Sequence, residues 1–432
     1  MIRISAAAIA ILFCAPRWQM AATNTTLRFD FGSGQPAPGY TKVTPTTQYT
    51  GQLGYGLEPG SAVESVDRGG RDRLKADFLT SEAPFYFSVH LPEEGNYRVT
   101  VILGDRRAAA TTTVKAELRR LMLANVHTAP GHFQTRTFLV NIRTPRIAGD
   151  GEVRLKPREK VYEAVAWDDK LTLEFLGPHP AVCGLTIEKD DQVPTLYIAG
   201  DSTSTDQPRE PFSGWGQMLP VFFKPSIALA NNGESGESLR SFIAEKRLDK
   251  VMSVIRPGDW LFIQMGHNDQ KEKGPGVGAF TTYKADLKRF IAEARQHGAT
   301  PVLITPMNRL TFDPNGKIMN SLGDFPEAVR QTAKEEHVAL IDLHAMSAKF
   351  YEALGQQNAH LAFAGSDHTH TDDYGSYELA KCIVEGIKAN KLPLAKYLYP
   401  LPRFHPEHPD EIKSFPIPSE PQSGLTPRPY GE

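Results

Sequence analysis

The 432-residue chain has little cysteine, little net charge and no long hydrophobic run. Its formal net charge is −2, so it has no basic field that would attract nucleic acid or an anionic membrane surface. No cysteines or histidines stand at the spacing of a zinc site, and neither a metal nor an organic cofactor is expected. No apolar segment reaches the length of a transmembrane helix. These absences favour a globular protein, and the length predicts two domains.

The three cysteines are Cys14, Cys183 and Cys382. Cys183 and Cys382 lie in different halves of the chain. In an oxidising compartment they are able to form a disulfide, but their spacing does not show it, and two buried free thiols are the alternative.

The first 22 residues have the pattern of a signal peptide. Arg3 precedes an apolar run, Ile4–Phe13, which is too short to span a bilayer. Cleavage near Ala21 or Ala22 would remove Cys14 with the peptide. The protein is therefore expected to be secreted or periplasmic, and a disordered N-terminal extension is the alternative.

Residues 23–190 have the pattern of a β-sandwich. Apolar and polar side chains alternate in five segments: Leu27–Gly32, Phe85–Leu91, Asn96–Leu103, Arg136–Ile142 and Lys170–Leu176. This alternation turns one face of each strand toward a core and the other toward water. Turn sequences such as PEEGN and TAPGH separate strands, as an antiparallel sandwich requires.

The pattern changes near Thr195. Five apolar runs, LYIAG, SIALAN, WLFIQMG, PVLITP and VALIDL, alternate with stretches whose apolar residues recur at three- and four-residue intervals. Residues 194–391 are therefore predicted to form a flavodoxin-like, three-layer α/β domain around a five-stranded parallel sheet. Residues 392–432 are proline-rich and are predicted to form a tail that is extended over the surface or partly disordered.

Four polar segments follow the predicted strands or precede the last helix. They contain Ser202 (in GDS), Gly233 (in NNGESGES), Asn268 (in GHND), and Asp367 with His370 (in DHTH). Each segment alone also fits a helix cap, a turn or a surface histidine. However, open parallel sheets bind ligands beyond the carboxyl ends of their strands, where these segments are expected to meet.

Together these residues suit acyl transfer. A serine hydroxyl needs a base to remove its proton, for which His370 is the candidate, and Asp367 is placed to hold the imidazole in the required tautomer. The backbone N–H groups of Ser202 and Gly233, with the Asn268 amide, are candidate donors to the oxyanion of a tetrahedral intermediate.

The order of these blocks resembles that of the SGNH, or GDSL-type, hydrolases. The longer stretches AGDST, GWGQ, GHND and DHTHTDDYG are similar to the rhamnogalacturonan acetylesterases of that group, which remove acetyl esters from the rhamnogalacturonan backbone of pectin. The resemblance covers residues 195–391. It implies that Ser202 is the nucleophile, His370 the base and Asp367 its orienting acid, with Ser202, Gly233 and Asn268 forming the oxyanion hole.

Three further residues, His368, Trp215 and Tyr374, stand in or near these blocks. His368 is a competing imidazole, but Asp367 and His370 bracket a single turn and are therefore preferred. Trp215 and Tyr374 are candidates for contact with sugar, and packing in the core is the alternative.

The first half of the chain resembles galactose-binding-like and malectin-like sandwiches, on LRFDFGSG and FSVHLPEEGNYRVTVILGD. This resemblance implies sugar binding, and a purely structural support of the second domain is the alternative. Such sandwiches sometimes hold calcium, but no acidic cluster in the sequence marks a site.

The sequence thus predicts a secreted serine esterase that deacetylates a plant cell-wall polysaccharide, pectic rhamnogalacturonan. An acetylxylan esterase, or another GDSL esterase or lipase, is the nearest alternative. The polar loop after Ser202, TSTDQPREPFSGWGQ, favours a hydrophilic polymer over a long acyl chain. A carbohydrate-binding protein with a non-catalytic hydrolase fold is the alternative from another class.

Overall fold

A computed structural model describes residues 26–60, 62–149, 151–415 and 417–418. The predicted signal peptide, residues 1–22, lies outside the described residues. Within the described part, no helix combines the length and apolar character needed to cross a bilayer.

The first half is a sandwich of two sheets. Its strands are β1 (Leu27–Phe31), β2 (Thr41–Val43), β3 (Tyr55–Leu57), β4 (Glu64–Asp67), β5 (Asp77–Thr80), β6 (Phe85–His90), β7 (Gly95–Leu103), β8 (Ala110–Ala116), β9 (Arg120–Thr128), β10 (Gln134–Ile142), β11 (Lys170–Leu176) and β12 (Val182–Lys189). One sheet has the order β10-β7-β12-β1-β2, extended by β5 and β4, and the other the order β3-β6-β11-β8-β9. The inward side chains of both sheets, including Phe31, Phe87 and Phe175, form one apolar core.

The second half is built on five parallel strands. They are β13 (Thr195–Gly200), β14 (Ala228–Asn231), β15 (Trp260–Gln264), β16 (Thr300–Ile304) and β17 (Ala339–Ile341), in the order β14-β13-β15-β16-β17. The chain reverses direction across the sheet next to β13, so a crevice opens beyond the carboxyl ends of β13, β14 and β15.

Eight α-helices complete the described structure. They are α1 (Glu159–Tyr162), α2 (Trp215–Met218), α3 (Leu239–Ala244), α4 (Arg247–Val254), α5 (Lys284–Gln296), α6 (Phe325–Glu335), α7 (Leu343–Asn358, interrupted at Gly355) and α8 (Asp373–Ala389). Helices α3 to α6 pack on one face of the parallel sheet, and α2, α7 and α8 on the other. The predicted architecture, a β-sandwich followed by a three-layer α/β domain with five parallel strands, is confirmed.

The described part of the proline-rich tail packs against the second domain. Leu394 and Leu398 are buried in the core beneath α8. The ring of Phe415 lies 5.7 Å from that of Tyr374 and 5.5 Å from that of Tyr377, both on α8. Residues 416 and 419–432 lie outside the described residues.

The two halves share a buried interface. Leu121 of β9 enters the apolar core under α8. Next to it, the fully buried Arg119 donates two hydrogen bonds to Asp373, at the start of α8, and one to the carbonyl of Phe212. Arg247 of α4 pairs with Glu159 of α1 at 2.5 Å. Because these charges are removed from water, each depends on its partner in the other half.

Candidate active site

Ser202 lies in a tight turn directly after β13. The carbonyl of Asp201 accepts hydrogen bonds from the N–H groups of Ser204 and Thr205, at 3.0 and 3.1 Å. The Asp201 carboxylate accepts from the backbone N–H and the hydroxyl of Thr203. Asp201 therefore closes this turn and does not cap a helix, because the next helix begins at Trp215. The turn fixes the serine at the strand end.

Ser202, His370 and Asp367 form a hydrogen-bonded relay. The distance from Ser202 Oγ to His370 Nε2 is 2.9 Å, and that from His370 Nδ1 to Asp367 Oδ2 is 2.8 Å. The other oxygen, Oδ1 of Asp367, accepts from the backbone N–H groups of Thr369 and His370. Burial opposes ionisation of Asp367, but these hydrogen bonds outweigh it and lower its pKa. The ionised carboxylate is thus held against Nδ1, which leaves Nε2 facing the serine.

The competing imidazole, His368, points elsewhere, because its Nδ1 lies 3.0 Å from the carbonyl of Leu310. The His370 ring instead rests edge-on against Phe212, with 6.0 Å between ring centroids. The side chains of His370 and Asp367 are 29% and 28% exposed, so the relay lies at an open surface. Both side chains are therefore accessible from solvent.

The structure does not bring Gly233 to this cleft. Its backbone N–H donates to Asn231 Oδ1 at 3.1 Å, and the residue is buried. At this position the chain still runs beside the end of β13, because the N–H of Glu234 donates to the carbonyl of Gly200. The expectation that Gly233 supplies an oxyanion donor is therefore corrected.

Gly236, three residues further along the same loop, does lie in the cleft. It lines the cleft together with Ser202, Asn268 and His370, and it is exposed. Its φ of 84° lies in the left-handed region, which favours glycine.

Asn268 is oriented by two neighbours. Its Nδ2 donates to the carbonyl of Glu237 at 2.9 Å, and its Oδ1 accepts from the ammonium of Lys271 at 2.8 Å. The amide orientation is chemically consistent, because a carbonyl only accepts and an ammonium only donates. One N–H of the amide is left for a ligand in the cleft. The arrangement suits the donor role predicted for Asn268.

The cleft has a volume of about 380 Å3 and is rich in cations and polar groups. It is lined by Ser202, Ser235, Gly236, His267, Asn268, Lys271, Arg309, Thr369 and His370. His267 is held by Asp201, with 3.2 Å between Nδ1 and Oδ2, and its buried Nε2 has no hydrogen-bond partner among the described residues. Burial disfavours the Asp201 charge, but the nearby His267 and Thr203 outweigh it and lower its pKa.

Sequence reasoning gave no role to His267, Lys271 or Arg309. His267 stands within the quoted GHND block, and Lys271 follows it by two residues. Arg309 lies in the segment after β16 and carries no local motif. Its position only emerges from the parallel sheet, which brings that segment to the same edge.

Trp215 and Tyr374 are both internal. Trp215 is completely buried and donates from its indole N–H to Gln264 Oε1 at 2.7 Å. Tyr374 is 3% exposed, and its hydroxyl donates to the carbonyl of Asp410. Neither side chain reaches the cleft, so the expectation of sugar contact is replaced by the packing alternative.

One acidic group among the described residues has the spacing of metal ligands. Carboxylate oxygens of Glu159, Glu163 and Glu234 lie within 4.8 Å of one another. However, Arg247 pairs with Glu159, and Arg158 pairs with Glu163 and Glu234. These two arginines offset part of the charge of the three carboxylates, and burial raises the pKa of Glu163 and Glu234, which favours their protonated forms.

Cys183 and Cys382 are free and buried in separate domains. Burial raises the pKa of both thiols, which keeps them protonated. The free-thiol alternative is therefore correct for this pair.

Comparison with known proteins places two family models on the chain. Residues 198–376 match the GDSL-like Lipase/Acylhydrolase family, and residues 27–142 match the Beta-agarase/YXIM esterase-like, galactose-binding domain-like family. These matches fall on the α/β domain and on the sandwich, respectively.

Three curated relatives come from Bacillus subtilis (strain 168). The chain is 41% identical to the probable rhamnogalacturonan acetylesterase YesY, over 46% of this chain and 95% of that protein. It is 38% identical to the rhamnogalacturonan acetylesterase RhgT, over 47% of this chain and 93% of that protein. It is also 28% identical to the uncharacterized esterase YxiM, over 85% of this chain and 92% of that protein.

Proposed function

Because the chain belongs to the GDSL-like lipase/acylhydrolase family, we propose that it removes acetyl groups from pectic rhamnogalacturonan by a Ser-His-Asp mechanism. The family and the curated relatives make it a carboxylic ester hydrolase of the carbohydrate-esterase kind. The observation that carries the mechanism is the continuous relay from Ser202 Oγ through His370 to Asp367.

In the first step, Ser202 Oγ attacks the acetyl carbonyl carbon while His370 Nε2 accepts the hydroxyl proton. Asp367, held ionised by its hydrogen bonds, stabilises the imidazolium that forms. The oxyanion is stabilised by the backbone N–H groups of Ser202 and Gly236 and by Asn268 Nδ2. Collapse of the intermediate expels the sugar oxygen, which takes the proton from His370 and leaves an acetyl-enzyme.

In the second step, His370 removes a proton from water, and the resulting hydroxide attacks the acetyl-enzyme. The same donors stabilise the second oxyanion. The proton then returns to Ser202 Oγ as acetate leaves. The open cleft beside His370 supports this step, because water reaches the acetyl group directly.

The charge around the cleft supports a uronate-containing polymer. Lys271 and Arg309 line the cleft itself. An adjoining pocket of about 220 Å3 shares Ser235 with the cleft and contains Arg209. Rhamnogalacturonan carries the carboxylates of galacturonic acid, which pair with such cations, whereas an unsubstituted xylan backbone is neutral.

We further propose that the protein is exported through residues 1–22 and acts outside the cytoplasm. A polymeric cell-wall substrate is reached only there. Residues 23–190 would then form a sandwich domain and residues 194–391 the esterase domain of the exported enzyme.

Acetate release from acetylated rhamnogalacturonan, acetylated xylan and 4-nitrophenyl acetate tests the proposal. We expect release from the pectic polymer that disappears in Ser202→Ala. Ser253→Ala, which removes a hydroxyl from α4 far from the relay, is the matched control and should retain full activity. Equal or faster release from xylan would overturn the substrate assignment, and activity that survives in Ser202→Ala would overturn the mechanism.

A further inference from the structure

The loop that carries Gly236 is held by two cations of the sandwich half. Lys156 Nζ donates to the carbonyl of Ser235 at 2.9 Å, and Arg158 Nη2 donates to the same oxygen. Arg158 also pairs with Glu234, and Lys156 with Glu237. The peptide between Ser235 and Gly236 is therefore fixed from outside the α/β domain.

The geometry of a peptide bond links this contact to the cleft. Among the described residues only the Glu210–Pro211 bond is cis, so the Ser235–Gly236 bond is trans. In a planar trans peptide the C=O and the N–H point in opposite directions. Since the Ser235 carbonyl faces Lys156 and Arg158, the N–H of Gly236 faces away from them. Gly236 lines the cleft, and no described acceptor takes this N–H.

We propose that Lys156 and Arg158 are positioning residues for ester hydrolysis, holding the Ser235–Gly236 peptide so that its N–H points at the oxyanion. The inference rests on the proposed function. It makes the sandwich part of the catalytic apparatus, acting through a peptide bond and without touching the substrate.

Two physical effects favour this role. A donor fixed before reaction stabilises a developing oxyanion without the cost of reorganisation. In addition, cations on a carbonyl polarise the peptide and strengthen its N–H as a donor. Both effects change the stability of the transition state more than that of the bound ester. Loss of these effects should therefore lower kcat and leave KM nearly unchanged.

The test is the hydrolysis of 4-nitrophenyl acetate by the full chain with Lys156→Met or Arg158→Met. This ester is small and uncharged, so it has no need of a cationic binding site. We expect kcat to fall about 10- to 100-fold in each variant. The upper figure corresponds to the complete loss of one oxyanion donor. KM should change less than twofold. Lys156→Arg, which keeps a cationic donor, should recover most of kcat.

Arg98→Met is the matched control. Arg98 also crosses from the sandwich to a carbonyl of the α/β domain, that of Pro225, but at the amino end of β14. It should lower the temperature of unfolding without the kcat defect of the other variants.

Several results would overturn the inference. These are an unchanged kcat in both Met variants, a loss confined to KM for the pectic polymer, or an equal kcat defect in Arg98→Met at equal loss of stability. Failure of the proposed function is recognised separately. It would appear as absence of Ser202-dependent hydrolysis in the wild type, before any interface variant is made, and it would end the inference as well.

Discussion

Replacing Asp367 by asparagine should trap His370 in the wrong tautomer. Oδ1 of Asp367 accepts from the N–H groups of Thr369 and His370, at 2.6 and 2.9 Å. In Asp367→Asn the amide oxygen has to keep these two donors. The amide NH2 is then directed at His370 Nδ1, 2.8 Å away in the wild type. A donor at that position forces the ring proton onto Nε2, which can no longer accept the proton of Ser202.

The expected size of the effect follows from this tautomer. An equivalent asparagine substitution in a serine protease lowers kcat on the order of 10⁴-fold, which corresponds to about 5 kcal/mol of transition-state stabilisation. We expect a similar loss in kcat for both 4-nitrophenyl acetate and the pectic polymer, with little change in KM.

Asp313→Asn is the matched control, because Asp313 Oδ1 also accepts two backbone N–H groups, those of Asn315 and Lys317, but contacts no imidazole. The measurement is the steady-state kcat of both variants, with circular dichroism to verify that each is folded. The control should keep the wild-type kcat. An Asp367→Asn enzyme that keeps more than a tenth of kcat would refute the tautomer argument.

Three other substitutions have defined outcomes. Asn268→Ala should lower kcat for 4-nitrophenyl acetate about 10²- to 10³-fold, as measured by steady-state kinetics, because one oxyanion donor is lost. Arg119→Met should lower the free energy of unfolding in urea by about 3–5 kcal/mol, because Asp373 loses its bidentate partner at a buried interface. Burial raises the pKa of Asp269 to about 8, so the folded state keeps a proton that the unfolded state has released. The free energy of unfolding contributed by this group therefore falls between pH 5 and 8, by about 1 kcal/mol per pH unit, and Asp269→Asn should remove that slope.

Each of these expectations has its own check. An Asn268→Ala enzyme whose defect lies in KM would show that the amide binds substrate and not the oxyanion. Adding Asp373→Asn to Arg119→Met should restore part of the stability, and purely additive losses would show that the pair is not coupled. Parallel stability curves for wild type and Asp269→Asn from pH 5 to 8 would contradict the raised pKa.

The sequence predicts those elements whose residue types form a clear pattern, either an apolar–polar alternation in the sandwich or an unbroken apolar run in the parallel sheet. Strand β11 was predicted with the observed bounds, Lys170–Leu176, and all five parallel strands were found. Strand β8 is not predicted because its sequence, ATTTVKA, contains three consecutive threonines and has no alternation of period two. Helix α7 was also missed, since it buries only four of its sixteen residues and is interrupted at Gly355.

The site shows a similar division. Ser202, Asn268, Asp367 and His370 stand in segments with recognisable order. The structure brings Ser202, Asn268 and His370 to one cleft, and Asp367 binds His370. Gly236 was not predicted, although it stands in the same loop as Gly233, because the sequence does not show where the chain leaves the edge of the sheet. The contributions of Lys156 and Arg158 were beyond sequence reasoning, because they depend on how two domains pack.

The domain interface also has a consequence for how the polypeptide tolerates cleavage. The link between β12 and β13 is short, residues 190–194. The two halves are also joined by ion pairs with one fully buried partner, such as Arg119 with Asp373 and Lys156 with Glu237. A nick in that link should leave two fragments that copurify and still turn over ester. An α/β fragment produced by itself would instead leave the carboxylates of Asp373 and Glu237 without these cationic partners, and we expect it to aggregate.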